Sequence, residues 1–273
     1  MADWLFSNGV CGPEVLAGDE SNFENETHFF DQDENYQQGI GVYSRRFEHC
    51  GAHGGSDFIL DATPNTLLHT KRVHETYAQV GTEVLSKVKL IVILREPVSR
   101  ELSLYNQKKA EYLNKQRSLL WYNDIAFANN HTVMSFEEYS KRVLAGRLSN
   151  QLWRPVGKYV DHLKQWMLYF EREQLLVLSY DEVLDAPDMA QWRIRKFLGT
   201  EFSGALRHEH AAGEGDEVRA VPVMARQTLD SIFKEKNLEL YEFLDQHPGP
   251  SMEEYPFPRF TNDLPSESKY AYV

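Results

Sequence analysis

A short apolar run followed at once by a helical pattern is the feature that most constrains the fold of this chain. Residues 89–94, Lys-Leu-Ile-Val-Ile-Leu, are continuous, rich in β-branched residues and bounded by charge, which is typical of a parallel strand covered on both faces. Pro97 then fits the first turn of a helix, which we predict to extend to about residue 114. The strand is therefore expected to lie inside a sheet that helices cover.

The same alternation of apolar runs and helical patterns continues along the chain. Residues 175–179 predict a second buried strand, and residues 58–60 predict a short one that ends before Pro64. Helical patterns cover residues 65–80, 135–146, 158–172, 187–198, 222–235 and 237–246. Strand and helix in alternation predict the α/β class, with a mainly parallel central sheet flanked by helices.

Length and charge limit the organisation and the partners of the protein. With 273 residues, 42% of them hydrophobic, the chain is expected to form a single domain over residues 1–273. Residues 247–273 are expected to form an irregular C-terminal tail, and residues 203–220 a mobile loop. The net charge of −12 argues against nucleic-acid binding, because neutralising phosphates needs a surplus of Lys and Arg. No apolar run is long enough to predict a membrane segment.

The two cysteines, Cys11 and Cys50, leave two alternatives open. We expect two separate free thiols, and a single disulfide is the alternative. No Cys-x-x-Cys spacing suggests zinc, and no group of carboxylates or histidines has a spacing that implies another metal. The sequence therefore predicts no metal site.

Residues 90–105 form the most specific motif, Leu-Ile-Val-Ile-Leu-Arg-Glu-Pro-Val-Ser-Arg-Glu-Leu-Ser-Leu-Tyr. The strand delivers Arg95 at its carboxyl end, where open α/β sheets bind ligands, and the next helix carries Ser103. An arginine and a hydroxyl that converge make a phosphate clamp. The motif resembles the 3′-phosphate-binding segment of sulfotransferases that use 3′-phosphoadenosine 5′-phosphosulfate (PAPS), which implies that Arg95 and Ser103 bind this nucleotide. The alternative is that Arg95 makes a structural salt bridge.

Residues 26–31, Glu-Thr-His-Phe-Phe-Asp, form a second motif with three ionisable side chains. A Glu and a His two residues apart lie on one side of an extended chain, and such pairs are usually solvated surface. Beside the first motif, the segment is similar to the catalytic segment of the heparan-sulfate-type carbohydrate sulfotransferases. That resemblance implies that Glu26 is the general base for the acceptor hydroxyl, and that His28 and Asp31 assist it.

The chain also departs from this family at two places. Relatives with Glu-Lys-Thr-Pro use the lysine near the sulfuryl group, whereas residues 61–65 read Asp-Ala-Thr-Pro-Asn, so that Ala62 removes a cation. Such domains begin with a strand and a phosphate loop, which nothing here matches, and residues 3–6 resemble the helix after that loop. We therefore expect the natural protein to have an upstream segment. Relatives often close a basic loop over the nucleotide, for which Arg219 and Arg226 are candidates.

As a whole, the resemblance implies a P-loop-type three-layer α/β fold whose first strand and loop are absent. It implies transfer of a sulfuryl group from PAPS to a hydroxyl of a carbohydrate, giving PAP, with no metal. The partner is then a glycan acceptor, and the location is the Golgi lumen if an upstream anchor exists. Ala62 and the unmatched loop favour the alternative, a non-catalytic nucleotide-fold protein or an inactive fragment. A kinase on a related fold is disfavoured by the presence of Arg95 and Ser103.

Overall fold

The computed structural model describes residues 1–14, 25–51, 58–113, 128–129, 132–146, 156–206 and 220–260. The chain divides into two compact units. Unit 1 comprises Met1–Val92, His162–His208 and Pro248–Tyr255, and unit 2 comprises Ile93–Asp161, Glu209–His247 and Pro256–Val273. Residues 207–219 of the predicted loop and residues 261–273 of the predicted tail lie outside the described residues. The organisation as a single domain over residues 1–273 stays a prediction.

Helices and strands follow the predicted alternation. The α-helices are α1 (Ala2–Ser7), α2 (Asp33–Tyr36), α3 (Ile40–Arg45), α4 (Thr70–Val80), α5 (Thr82–Lys87), α6 (Pro97–Leu113), α7 (Phe136–Leu144), α8 (Tyr159–Trp166), α9 (Tyr180–Asp185), α10 (Pro187–Leu198) and α11 (Val223–Gln246). The strands are β1 (Leu90–Leu94), β2 (Ala128–Asn129), β3 (Thr132–Val133) and β4 (Leu175–Ser179). Short 3₁₀ turns cover Glu48–Gly51, Pro64–Leu68 and Arg172–Gln174. In the described part of the chain, no helix is both long enough and apolar enough to cross a bilayer.

The central strand pair consists of β1 and β4, which run in parallel. All five residues of β4 are buried, whereas in β1 only Leu94 is fully buried and the others are half-buried. β2 and β3 form a separate antiparallel pair. The two strands predicted at residues 89–94 and 175–179 are confirmed, and β4 is the one that matches the expectation of a strand covered on both faces.

In unit 1, the chain leaves β4 through two helices whose ends are set by local signals. The Ser179 hydroxyl accepts a hydrogen bond from the Asp181 amide, and the Glu182 carboxylate reaches back to the Ser179 amide, which makes a capping box. α10 begins at Pro187, where the missing amide hydrogen costs nothing, and ends before Gly199, whose φ of 69° is left-handed. The predicted start and end of this helix are confirmed.

Arg193 makes a buried ion pair that connects α10 to the rest of unit 1. Its side chain is 1% exposed and its Nη1 lies 2.7 Å from Oε2 of Glu182. Nη2 donates to the carbonyl of Val177 in β4 at 3.0 Å, and Nε donates to Ser251 Oγ at 2.9 Å. Every nitrogen of this buried guanidinium therefore has a partner.

Arg193→Met is expected to lower the free energy of unfolding by about 3–5 kcal/mol, because it leaves the buried Glu182 carboxylate without its partner. The control is Lys196→Met on the same helix, which removes an ion pair with Glu254 whose side chains are 48% and 55% exposed. Exposed pairs of this kind contribute about 0–1 kcal/mol. Urea unfolding of the two variants measures both values, and equal losses would contradict the assigned role of Arg193.

In unit 2, α6, α7 and α11 pack around an aromatic core. The buried members of this core include Val98, Leu102, Tyr105, Met134, Phe136, Tyr139, Ala225, Leu229 and Phe233. Gly157 allows a close approach before α8, because a Cβ there would lie 2.8 Å from Cβ of Pro97 and 2.9 Å from the ring of Phe233. This packing holds the first turn of α6, which directly follows Arg95.

α11 corrects one prediction, because the two helices expected at residues 222–235 and 237–246 are one continuous helix. No glycine or proline stands between them, and Lys236 instead pairs with Asp161 at 3.0 Å and with Glu239 at 3.0 Å. The buried stripe continues across the expected break at Asn237. α8 differs in the other direction, since it ends at Trp166 rather than near residue 172.

The short strand predicted at residues 58–60 is wrong in its burial and its extent. The segment makes one parallel bridge, between Cys11 and Ile59, and the side chain of Ile59 is 49% exposed. Cys11 makes both backbone hydrogen bonds of this bridge: its amide donates to the Phe58 carbonyl at 3.1 Å, and its carbonyl accepts from the Leu60 amide at 2.8 Å. Pro13 cannot continue the ladder because it has no amide hydrogen.

The expectation of two free thiols is also wrong, because Cys11 and Cys50 form a disulfide. Their separation of 39 residues says little about distance in space. The backbone brings them together, since the Glu14 amide donates to the Arg46 carbonyl at 2.7 Å and so places the two segments side by side. The alternative of a single disulfide is the one that the structure bears out.

Candidate active site

The segment at residues 26–31 is held in place by buried aromatic rings. Phe29 and Phe30 are 3% and 2% exposed. Both pack on Tyr43 of α3, with ring centroids 4.8 Å and 5.2 Å away. The Tyr43 hydroxyl is in turn hydrogen-bonded to the Tyr77 hydroxyl at 3.2 Å. These contacts anchor one end of the segment on α3 and α4, so that its polar side chains have fixed positions.

Glu26, His28 and Asp31, the three predicted catalytic residues, lie in direct contact. His28 Nε2 lies 3.1 Å from Glu26 Oε2, and Nδ1 lies 3.0 Å from Asp31 Oδ2. The His28 and Asp31 side chains are 13% and 4% exposed, whereas that of Glu26 is 25% exposed. The imidazole is thus held between two carboxylates, and Glu26 is the member nearest to solvent.

The two carboxylates change the ionisation of the imidazole. Hydrogen bonds to Asp31 and then to Glu26, opposed by burial, raise the pKa of His28 to about 10. Burial acts to raise the pKa of Asp31, but hydrogen bonds and charge from His28 outweigh it and lower that pKa. At neutral pH the group therefore has one positive and two negative charges. Its net charge of −1 suits proton acceptance better than anion binding.

His28 also has an unusual backbone conformation, with a φ of 48°. A residue other than glycine rarely has a left-handed φ, and holding one there costs roughly 1–3 kcal/mol. The conformation turns the imidazole between the two carboxylates. Such outliers cluster at functional sites, which makes this loop the strongest candidate in unit 1.

Asp61 and Thr63 hold the backbone of residues 27–28 through hydrogen bonds. Thr63 Oγ1 accepts hydrogen bonds from the amides of Thr27 at 3.0 Å and His28 at 3.2 Å, and donates to Asp61 Oδ1 at 2.6 Å. Thr27 Oγ1 donates to the other carboxylate oxygen of Asp61 at 2.6 Å. Asp61 was not predicted from the sequence, although Asp-x-Thr is a pattern that often forms local hydrogen bonds.

Two neighbours in the same segment complete the surroundings of the triad. Asn65 donates from Nδ2 to Asp31 Oδ2 at 3.3 Å. Ala62 contributes only its amide, which donates to the carbonyl of Asn25 at 3.0 Å. Its methyl side chain supplies no charge where relatives are expected to have a lysine.

The predicted nucleotide-binding residues lie in unit 2. Arg95 directly follows β1 and is half-buried, and Ser103 is exposed on α6. The carbonyl of Arg95 accepts a hydrogen bond of 2.8 Å from the hydroxyl of Tyr159, which is 3% exposed. Tyr159 therefore fixes the backbone from which the Arg95 side chain extends. This contact was not predicted from the sequence.

Glu96 organises the start of α6 beside Arg95. Its carboxylate accepts hydrogen bonds from the amides of Val98 at 3.1 Å and Ser99 at 2.8 Å. Burial acts to raise the pKa of Glu96, but hydrogen bonds from Arg226 and Ser99 outweigh it and lower that pKa. Arg226 lies 2.9 Å from Glu96 Oε1. The charge of Arg226, a candidate for closing over the nucleotide, is thus balanced by Glu96, and Arg219 lies outside the described residues.

The free energy of unfolding is expected to fall as the pH rises from about 6.5 to about 10. The pKa of His28 is higher in the folded state, so its charge stabilises fully below 6.5, and this contribution is lost as the pH rises through the folded value of about 10. His28→Asn tolerates the left-handed φ but has no charge, so it should lack this component. Urea unfolding at neutral and alkaline pH measures the loss of unfolding free energy in the unchanged protein and in His28→Asn. Equal losses in the two proteins would show that the ion pairs of His28 do not contribute to stability.

Comparison with known proteins places these segments in one family. The family profile described as "Sulfotransferase domain" matches residues 15–235. Bifunctional heparan sulfate N-deacetylase/N-sulfotransferase 2 of Homo sapiens is 26% identical over 254 residues, which cover 85% of this chain and 27% of that protein. Heparan sulfate glucosamine 3-O-sulfotransferase 5 of Homo sapiens is 28% identical over 173 residues, covering 63% of this chain and 44% of that protein. The chain thus spans less than half the length of these curated relatives.

A solved structure supports the fold. The crystal structure of a sulfotransferase from Alicyclobacillus acidocaldarius aligns with a TM-score of 0.50 at 19% identity, covering 86% of this chain and 77% of that one. This likeness confirms the expected P-loop-type α/β fold. Because the family profile matches well over half of its residues, the chain belongs to the sulfotransferase domain family.

Proposed function

We propose that this protein transfers a sulfuryl group from PAPS to a hydroxyl group of a carbohydrate. The observation that carries the proposal is the contact of Glu26 and Asp31 with one imidazole, in which the most exposed carboxylate is held by a protonated His28. Membership of the sulfotransferase family supports the reaction type. The identity of the donor, PAPS, and of the acceptor, a carbohydrate hydroxyl, is proposed in addition to the reaction type.

Glu26 is the general base in this proposal. As the acceptor oxygen bonds to sulfur, the bond from sulfur to the 5′-phosphate oxygen breaks, PAP leaves, and the acceptor proton passes to the Glu26 carboxylate. The ion pair engages Oε2, and we assign Oε1 as the atom that takes the proton. A positioned base of this kind contributes roughly 10²–10⁴-fold to the rate.

His28 and Asp31 act through Glu26 rather than on the substrate. Asp31 is nearly buried and binds His28 Nδ1, which leaves Nε2 to hold Glu26. The hydrogen bonds from Thr63 and Asp61 keep the loop backbone in its strained conformation. A loop fixed in this way needs little reorganisation at the moment of reaction, which is the main source of catalysis in transfers that depend on positioning.

Arg95 and Ser103 bind the 3′-phosphate of the nucleotide in this proposal. A guanidinium gives paired, charge-assisted hydrogen bonds to a phosphate. Tyr159 acts as a positioning residue, because its hydroxyl holds the backbone carbonyl of Arg95. The donor is an anion, so a cation of this kind is needed to bind it.

The acceptor is proposed to be a glycan hydroxyl. The names of two relatives specify heparan sulfate and its glucosamine, which supports a polysaccharide acceptor. The disulfide between Cys11 and Cys50 favours an oxidising compartment, and with the family analogy it supports the Golgi lumen as the location.

Radiolabelled-sulfate transfer from PAPS to a panel of polysaccharides tests the proposal. The panel comprises heparan sulfate, desulfated heparin, chondroitin and a neutral glycan. Label incorporated into at least one of them, with release of PAP, is the expected result. PAP binding without transfer to any acceptor would instead support a non-catalytic nucleotide-fold protein, the alternative favoured by Ala62. If the protein shows no PAP binding and no sulfate transfer, both the enzymatic and the non-catalytic function are overturned.

A further inference from the structure

Three side chains of the types that bind zinc come together in unit 1, at the disulfide. His49 Nε2 lies 3.3 Å from Cys11 Sγ and 3.8 Å from Cys50 Sγ. The other ring nitrogen, Nδ1, lies 3.8 Å from Oε2 of Glu14. Both sulfurs therefore face one nitrogen of the imidazole, and a carboxylate faces the other.

Backbone hydrogen bonds hold this arrangement independently of the disulfide. The Glu14 amide donates to the Arg46 carbonyl at 2.7 Å. The Cys11 amide donates to the Phe58 carbonyl at 3.1 Å, and its carbonyl accepts from the Leu60 amide at 2.8 Å. The segment that carries Cys11 and Glu14 thus stays beside its neighbours when the bond between the two sulfurs is opened.

We propose that reduction of the disulfide by a dithiol converts this cluster into a zinc site, with Cys11 Sγ, Cys50 Sγ and His49 Nε2 as ligands and Glu14 holding His49 through Nδ1. In the reduction, two electrons and two protons pass from the dithiol to the protein sulfurs, and the dithiol becomes a disulfide. Zinc then replaces the two thiol protons, which go to solvent.

The distances already present are close to those of a tetrahedral zinc site. Bonds of about 2.3 Å to sulfur and about 2.0–2.1 Å to nitrogen at tetrahedral angles place sulfur and nitrogen roughly 3.6 Å apart. The two distances from His49 Nε2, 3.3 Å and 3.8 Å, lie on either side of that value. Only the sulfurs must separate, to roughly 3.8 Å, and the Cα distance of 5.8 Å between Cys11 and Cys50 leaves room for this through side-chain rotation.

The chemistry of the ligands selects zinc over harder cations. Two thiolates and an imidazole suit zinc, whereas magnesium and calcium prefer oxygen. A carboxylate hydrogen-bonded to the second ring nitrogen fixes the orientation of a metal-binding imidazole, and Glu14, now 3.8 Å from Nδ1, reaches that distance by a small movement of its exposed side chain. The His49 side chain is 40% exposed, so the ion has an open path, and a water molecule can take the fourth position.

Cobalt titration of the whole protein tests the proposal, because tetrahedral cobalt bound to thiolate has visible bands and a near-ultraviolet charge-transfer band. The reductant is a phosphine, which supplies no competing thiolate. The reduced protein is expected to bind one equivalent of cobalt, which zinc displaces because it binds such ligands more tightly. The oxidised protein is expected to show no such band.

Variants separate a built site from adventitious binding. Cys50→Ser is expected to abolish the one-equivalent site, and Glu14→Gln to weaken zinc binding roughly 10–100-fold. His49→Ala should weaken it at least as much, whereas His247→Ala, which removes an exposed histidine outside the cluster, should leave it unchanged. Equal affinity in His49→Ala and His247→Ala, or no cobalt band after reduction, would overturn the proposal. The proposal would also be overturned if reduction unfolded the protein and added zinc did not refold it.

Discussion

Glu26→Gln is expected to lower the rate of sulfate transfer roughly 10²–10⁴-fold. Glutamine keeps the size of the side chain but cannot take the proton from the acceptor hydroxyl. Affinity for PAP should be unchanged, because the 3′-phosphate is assigned to Arg95 and Ser103. Initial rates with radiolabelled PAPS and calorimetric titration with PAP measure the two effects separately.

Glu34→Gln is the matched control for this variant. Glu34 is an exposed carboxylate on α2 in the same unit, so the substitution makes the same change of charge outside the triad. Its transfer rate should equal that of the unchanged protein. Turnover that persists in Glu26→Gln, or an equal loss in Glu34→Gln, would remove Glu26 from the role of base.

Arg95→Ala should weaken PAP binding roughly 10–150-fold, which corresponds to about 1.5–3 kcal/mol for a hydrogen bond to a charged group. The fold should survive, because the contact with Tyr159 uses the backbone carbonyl of Arg95. Adenosine 5′-phosphate, which has no 3′-phosphate, should bind both proteins equally. Calorimetry with the two nucleotides at one salt concentration makes this comparison.

Two further substitutions test whether the effect of Arg95→Ala comes only from the loss of a positive charge. Lys141→Ala removes an exposed positive charge from α7 in the same unit and should leave PAP affinity unchanged. Arg95→Lys keeps the charge but loses the paired geometry, so its affinity should lie between those of Arg95→Ala and the unchanged protein. If Arg95→Ala weakened PAP and adenosine 5′-phosphate equally, Arg95 would not be the contact for the 3′-phosphate.

Much of the fold could be predicted because its signals are local. The apolar runs at residues 89–94 and 175–179, together with Pro187 and Gly199, correctly predicted β1, β4 and the ends of α10. Prediction failed for the features that depend on packing between distant parts of the chain. The buried stripe of α11 continues through Asn237 and packs on distant parts of the chain, and the disulfide depends on two segments meeting in space.

The candidate site could be predicted only in part, for the same reason. A recognisable motif singled out Glu26, His28 and Asp31, but their spacing does not reveal that His28 has a left-handed backbone and bridges two carboxylates. Asp61 was missed because its link to the motif runs through Thr27, which lies 34 residues away, although its bond with Thr63 is local. The contact of His49 with the disulfide was missed because it joins His49 to Cys11, 38 residues away.

A crystal structure of the protein with PAP and an acceptor oligosaccharide will show which residues contact the 3′-phosphate and the acceptor hydroxyl. We expect the 3′-phosphate to contact Arg95 and Ser103, and the Glu26 carboxylate to lie at about 2.6–3.2 Å from one acceptor hydroxyl. A phosphate bound elsewhere, or an acceptor whose hydroxyls all lie out of reach of Glu26, would contradict the proposed function.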